Sequence, residues 1–277
     1  MTISVVIPTI GNRNLFPTLL SLKNSSIKID EIIISAPTQN KLDKNELQKI
    51  KNVRIHISKF RGQVIQRIEG FKITNCDIVV QLDDDIILEK YCLELLYEEI
   101  KNKSDTSISP NLIDSVSNRS IYLEKKGLKK YLFNKIMGFN SDEKRGKIGL
   151  GGFQYYPVLN FNSNILLDSD WLVGGCVMHH KKNLILSNYF SFNGKAYCED
   201  LFHSIELKKR GVKLSLLSSA TAFLKLTTKT PDIIPFFKEL KSDYLIRKEL
   251  VKQNGLNYNR MLIGYLFIIM NFFFKSK

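Results

Sequence analysis

Acidic residues are scarce beside basic ones: 27 Asp and Glu stand against 41 Lys and Arg, leaving a net charge of +14. That balance points to an anionic partner, whether a nucleotide, a phosphorylated lipid, an anionic membrane surface or a nucleic acid. Cysteine is sparse and scattered. Cys76, Cys92, Cys176 and Cys198 have neither zinc-site spacing nor the close pairing of a disulfide framework, so they read as reduced core thiols of a cytosolic protein. Residues 1–8 lack a basic n-region and a cleavage site and read as a first strand, not a signal peptide. The uncharged apolar run at 261–274 is short for a membrane span. At about 1.5 Å per residue it gives a helix of roughly 21 Å, against a hydrocarbon core of about 30 Å. Flanked by Arg260, Lys275 and Lys277, it suits an interfacial anchor or a last core helix.

What the chain does have is core-forming material, 44% hydrophobic and 10% aromatic over 277 residues, enough for one large α/β domain or two small ones. Its centre is residues 77–88, Asp-Ile-Val-Val-Gln-Leu-Asp-Asp-Asp-Ile-Ile-Leu. An apolar β-branched run drives into three consecutive carboxylates and leaves as an apolar run again, the pattern of a buried strand whose end opens onto a site. Three adjacent carboxylates repel one another. A hard cation or a phosphate-bound metal relieves the repulsion, and the C-terminal end of a strand in an open α/β sheet is where such a ligand sits. A solvated acidic turn is the plainer alternative.

Ahead of that centre, residues 3–7 form a strand ended by Pro8-Thr9, and a loop with Gly11 and Arg13 leads into a helical pattern at Leu15, Leu19, Leu20 and Leu22. Strand, polar loop and helix open a nucleotide-binding α/β unit. Residues 30–35 make a second strand, 42–50 a short charged helix, and 53–57 an alternating strand expected near the sheet edge. A helix then starts near Gly62, with Val64, Ile65, Ile68 and Phe71 on one face and Gln63, Gln66 and Arg67 on or near the other. Gly62, Arg61 and Arg67 suit a pyrophosphate there, while ordinary solvated arginines are the competing reading.

Past the aspartates, 89–101 reads as a helix and 106–109 as a short strand stopped by Pro110. Residues 119–150 interleave lysines and arginines with Ile121, Leu128, Tyr131, Leu132 and Ile136, a basic amphipathic insertion or a solvated charged face. A strand at 171–178 carries Gly174-Gly175, where something approaches the backbone or a bulge forms. His179 and His180 follow and read as structural sooner than as ligands. Glu199-Asp200 opens a helix that Gly211 ends after a cationic last turn. Those two acids complement the helix dipole, and either can serve as a general base. A strand at 212–217 and an amphipathic helix at 233–253 complete the pattern.

In this order and spacing the chain resembles the family 2 glycosyltransferases of the GT-A fold over residues 1–225. The matching residues are Ser4-Val5-Val6-Ile7-Pro8-Thr9, Leu82-Asp83-Asp84-Asp85 as the family's DXD motif, Gly174-Gly175, and Glu199-Asp200 with Lys209-Arg210-Gly211. The resemblance implies a Rossmann-like mixed sheet flanked by helices. A nucleotide-sugar half at 1–110, an acceptor half at 111–225 and a C-terminal amphipathic helical segment at 226–277 are expected. It implies a donor site at Pro8, Thr9, Arg13, Arg61, Gly62, Arg67, Asp83 and Asp84, with Mg²⁺ or Mn²⁺ on Asp83 and Asp85. Asp200 matches the catalytic base, and Glu199 is the second candidate. Sugar would pass with inversion from a nucleotide sugar to a glycan or lipid-linked hydroxyl, in bacterial-type surface polysaccharide or glycolipid assembly. The expected location is cytoplasmic and peripheral to an anionic inner membrane face, without nucleic acid. Two departures stand out: Ser35-Ala36-Pro37-Thr38 replaces the family's acidic residues after the second strand, and Ala222-Phe223-Leu224-Lys225 lacks its late histidine. A sugar nucleotidyltransferase and a non-enzymatic polyanion binder are the readings from other classes.

Overall fold

The computed structural model describes residues 1–38, 42, 47, 49–123, 127–140, 144–159, 164–192, 196–226 and 232–275. Its organising strand forms where nearly every residue is apolar. β1 (Ile3–Pro8) is buried throughout, with Ile3, Val5 and Ile7 packed on one sheet face and Val6 on the other, as in a strand covered on both sides. β2 (Glu31–Ala36) pairs parallel with β1, and β3 (Val53–Ile57) pairs parallel with β2 at the sheet edge, where its alternation predicted it. β4 (Ile78–Leu82) lies on the other side of β1, also parallel. One face is covered by α1 (Phe16–Lys23) and α3 (Cys92–Ile100) through Leu19, Leu22, Leu93, Leu96 and Ile100. α2 (Gln63–Ile73) covers the opposite face, where Phe71 meets Val6, Ile33 and Val79.

Beyond β4 the sheet becomes mixed. After β5 (Ile87–Leu88), β6 (Thr106–Asp114), β7 (Arg119–Ser120) and the small β8 (Lys147–Ile148) and β9 (Gln154–Tyr155) ladder come β10 (Leu166–Asp168), β11 (Cys176–His180) and β12 (Lys213–Leu224). The strands run in the order β10-β12-β6-β11-β4-β1-β2-β3, with β5 on β12 and β7 on β6. β11 is antiparallel to both β4 and β6, whereas β12 is parallel to β6. Seven α-helices are present among the described residues. The remaining four are α4 (Leu128–Met137), α5 (Glu199–Lys209), α6 (Ile233–Gln253) and α7 (Tyr258–Lys275).

Three local expectations are corrected. Pro110 does not stop its strand: β6 runs on to Asp114, and its register with β12 shifts between Leu217 and Thr221, next to the proline. A residue with no N–H is tolerated where a bulge interrupts the ladder. The strand expected at 171–178 starts only at Cys176, because Gly174 and Gly175 form the turn that feeds it. The strand expected at 212–217 extends to Leu224. The helix expected at 42–50 falls largely outside the described residues, as do Lys125 and Lys126 of the basic insertion. His179 and His180 are buried in β11 and bonded to Ser107 Oγ and the Ile100 carbonyl. All four cysteines are free thiols.

The helices at the C-terminal end pack onto the basic insertion. Met137, Phe139, Phe153 and Tyr155 form one apolar cluster with Val251 of α6 and Met261 and Tyr265 of α7. A second cluster joins Trp171, Leu201 and Phe202 to Ile246 and Leu250, which seats α6 against α5.

Candidate active site

The site forms where β4 runs out of apolar residues. Leu82 is opposite Cys176 in β11, so Gly174 and Gly175 lie beside Asp83, whose N–H donates to the Gly175 carbonyl at 2.8 Å. Gly174 is held from two more sides. Gln81 Nε2 donates to its carbonyl at 2.5 Å, and its own N–H donates to Asp200 Oδ1 at 2.9 Å. A Cβ at residue 174 would lie 2.5 Å from that carboxylate oxygen and 3.2 Å from Glu199 Oε2. The close approach expected at the glycine pair is therefore made by Asp200, and only at Gly174. A Cβ on Gly175 would meet its nearest neighbour, Ile86, at an ordinary 3.4 Å.

Asp83 has partners of its own, while Asp84 and Asp85 meet on Arg13. Asp83 Oδ1 accepts from Gln63 Nε2 at 2.8 Å and Arg67 Nη2 at 3.2 Å. Asp84 turns inward, accepting from Thr9 Oγ1 at 2.6 Å and Arg13 Nη1 at 2.8 Å, and so braces the loop after β1. Asp85 points outward and shares Arg13, at 2.6 Å. Burial pushes the Asp83 carboxyl up to about 6 against the pull of Arg67, with Glu199 adding to the rise. Burial also raises Asp85, opposed by Arg13.

Asp200 occupies the start of α5, two residues after Cys198, whose φ of 58° is a left-handed conformation uncommon outside glycine. Burial raises its pKa well above the ordinary carboxylate range, and the charge of Glu199 raises it further. The Gly174 N–H pulls the other way. Glu199 itself is occupied: Arg67 Nη1 donates to its Oε1, and Tyr189 Oη donates to the same oxygen at 3.1 Å. Burial works against the Arg67 charge, but Glu199 and Asp83 outweigh it and hold its pKa above the ordinary value. Arg67 is thus a buried bridge between the aspartate turn and the helix of Asp200.

A cleft of about 650 Å³ opens beside this network. Pro8, Thr9, Arg13, Arg61, Gly62, Asp83 and Asp84 line it, together with Ile10, Asn12, Gln63, Gln66 and Ala196. Every residue expected to meet a nucleotide is there except Arg67, which is spent on its two carboxylates. Gln66 is buried and ties the cleft wall together, donating to the carbonyls of Thr9 at 2.6 Å and Ser35 at 2.8 Å. A second cleft of about 310 Å³ shares Arg61, Gly62 and Gln63 and is walled by Phe60, Phe190 and Phe192. Sequence reasoning missed Tyr189 and the role of Gln81. The signal for Gln81 was present, as a lone amide within an apolar strand.

Among the described residues no group of three or more His, Cys, Asp or Glu side chains could enclose a metal ion. The donor set fits a cation of the Mg²⁺ kind nevertheless, since that ion is commonly held by one or two carboxylates and completed by substrate phosphates. Asp83 directs Oδ1 to both of its side-chain partners, so Oδ2 has no side-chain bond among the described residues.

Comparison with known proteins bears on the fold and the family. The fold is similar to that of a crystal structure of GalNAc-T7 with UDP, GalNAc and Mn²⁺, with a TM-score of 0.62 at 16% sequence identity. The similarity covers 84% of this chain and 45% of that one, so this chain spans less than half the length of its structural relative. Comparison with curated proteins gives no match. Residues 4–158, which hold β1, the aspartate turn and every residue lining the larger cleft except Ala196, match the family described as Glycosyl transferase family 2, and the chain belongs to that family.

Proposed function

We propose that the chain transfers a sugar from a nucleoside-diphosphate sugar to a hydroxyl acceptor with inversion at the anomeric carbon. One observation carries the reading: the Asp200 carboxylate, its pKa raised by burial, is fixed on the Gly174 N–H at 2.9 Å, and Gly175 of the same turn accepts from the Asp83 N–H. A base and an acidic donor turn are thereby held on one rigid connection. The diphosphate would lie in the cleft against Arg13, Arg61 and the start of α2, where backbone N–H groups and cationic side chains favour an anion. Asp83 and Asp85 would hold Mg²⁺ or Mn²⁺, which when bound neutralises charge on the leaving diphosphate. Asp200 accepts the proton of the attacking hydroxyl, and a single displacement inverts the centre. Glu199 serves as the counter-ion of Arg67 and not as the base.

The donor sugar is read as a hexosyl unit, and the acceptor as a glycan or lipid-linked hydroxyl in surface polysaccharide or glycolipid assembly. The net charge of +14 supports an acceptor presented at an anionic membrane face. The test is a panel of nucleotide sugars screened by thermal shift with and without Mn²⁺. A donor bound only by the native state raises the midpoint by mass action, and the rise should require the metal. Absence of any stabilising nucleotide sugar at millimolar concentration, with metal present, removes the reading.

A further inference from the structure

α7 is apolar on two opposite faces, and the protein uses one of them. Met261, Tyr265 and Phe272 are buried, and Ile268 packs beside them, a spacing of i, i+4, i+7 and i+11 that marks one helical stripe. Gly264 lies in the same contact, where a Cβ would come 2.2 Å from the Phe153 ring. The other stripe is Leu262, Ile263, Leu266, Met270, Phe273 and Phe274, all exposed, with Leu266 at 58%, Met270 at 53% and Phe274 at 61%. Their spacing of i, i+1, i+4, i+8, i+11 and i+12 keeps them within about a third of the helix circumference. Phe237 of α6, itself exposed, extends the patch through its ring contact with Phe273. A contiguous apolar face of this kind is uncommon on a soluble monomer and marks an interaction site.

Charge identifies what covers it. α4 and α7 carry Lys129, Lys130, Lys135, Arg260 and Lys275 and no acidic residue. The ammonium of Lys129 stands 4.0 Å from the centre of the Phe274 ring, at the border of the apolar stripe. An apolar helical face with Lys129 at its border, on a basic helix, is complementary to an anionic lipid surface, with the rings at the acyl boundary and the ammonium among the headgroups. No described helix is long and apolar enough to cross a membrane, and α7 turns its second face, through Tyr265, to Phe153.

We infer that the exposed stripe of α7, with Phe237 and the lysines of α4, docks this chain in the plane of an anionic bilayer. The two descriptions of residues 261–274 that the sequence allowed, anchor and core helix, are then one helix seen from its two sides. The inference does not rest on the transfer reaction, because the stripe is separate from the cleft.

The experiment is flotation of the full chain with vesicles of phosphatidylcholine alone and of phosphatidylcholine with phosphatidylglycerol. Removing the helix is uninformative, since it would also strip Met261 and Tyr265 from the core. The informative variant is Leu266→Glu with Met270→Glu, both on the exposed stripe, alongside Lys129→Gln with Lys135→Gln. Wild type should float with the anionic vesicles and stay behind with the neutral ones. The glutamate pair should abolish flotation, and the lysine pair should weaken it by roughly an order of magnitude. Both variants should keep the wild-type circular dichroism and melting midpoint; if either melts early, single substitutions Met270→Gln and Lys129→Gln replace it. Failure of wild type to float overturns the inference, as does flotation unchanged by the glutamate pair. A stable dimer that the glutamate pair dissociates, with no vesicle binding, assigns the stripe to a second copy and overturns it as well.

Discussion

Asp200 and Glu199 are neighbours in sequence with separate tasks, and substitution should divide them. Asp200→Asn would remove the proposed proton acceptor but keep the shape that Gly174 holds, so transfer should fall by about 10²–10⁴-fold with donor affinity near wild type. Glu199→Gln leaves the buried Arg67 short of its counter-ion, a loss of about 3–5 kcal/mol when a buried pair is broken from one side. Its signature should therefore be a lowered denaturation midpoint and, through Arg67, weakened donor binding. Single-turnover release of nucleoside diphosphate and urea denaturation of both variants make the comparison. A stable Glu199→Gln with collapsed turnover, beside a near-normal Asp200→Asn, would exchange the roles. The sequence displayed both acids and the aspartate triplet plainly. It could not display which acid pairs with Arg67, because that choice depends on α2 and α5 meeting across residues 132 apart.

At the scale of elements, strands announced themselves where both faces are buried and helices where one face is. β1, β2, β4 and α6 lie within a residue or so of their expected bounds, since unbroken β-branched runs and a 3.6-residue stripe leave little choice of conformation. Pro110 and Gly174 misled for one reason: their local preference to end a strand or sit within one was decided by partners far away, β12 and Asp200. α7 shows the same limit, as its apolar run carried no mark of which side meets the protein. Gly264 is the residue that sets this side. Gly264→Val should force α7 off Phe153 and cost about 1–3 kcal/mol of stability, as overpacking does. Equilibrium urea unfolding measures it, and an unchanged midpoint would mean that α7 does not pack on Phe153.

Across the whole molecule, one apolar layer connects the helices of the C-terminal end to the helix that carries Asp200, since Ile246 and Leu250 of α6 pack with Leu201 and Phe202 of α5. A bilayer under α7 and an acceptor beside Asp200 would thus be linked through packed helices. Stability should carry an acid-sensitive component from His203, buried on the inner side of α5. Burial, with Arg67 and Arg210, holds His203 down to about 3 from 6.5, so the unfolded chain binds a proton that the folded one refuses. Its contribution is complete above about 6.5 and is lost as the pH falls through that window toward 3, whereas Asp83 and Asp200, raised by burial, act with the opposite sign. The difference between wild type and His203→Gln isolates the histidine. The stability advantage of wild type should narrow as the pH is lowered from about 7 to about 4, and a constant gap would show that His203 is not buried in its neutral form.

The aspartate turn is proposed to bind a nucleotide sugar through a divalent cation. Isothermal titration of the donor, with and without Mn²⁺, into wild type and Asp85→Asn tests it most directly, because the substitution removes charge without changing volume. Wild type should bind tightly only with Mn²⁺, and Asp85→Asn should bind weakly and indifferently to the metal while its circular dichroism stays that of wild type. Metal-dependent affinity that survives unchanged in Asp85→Asn would show that Asp85 does not hold the cation.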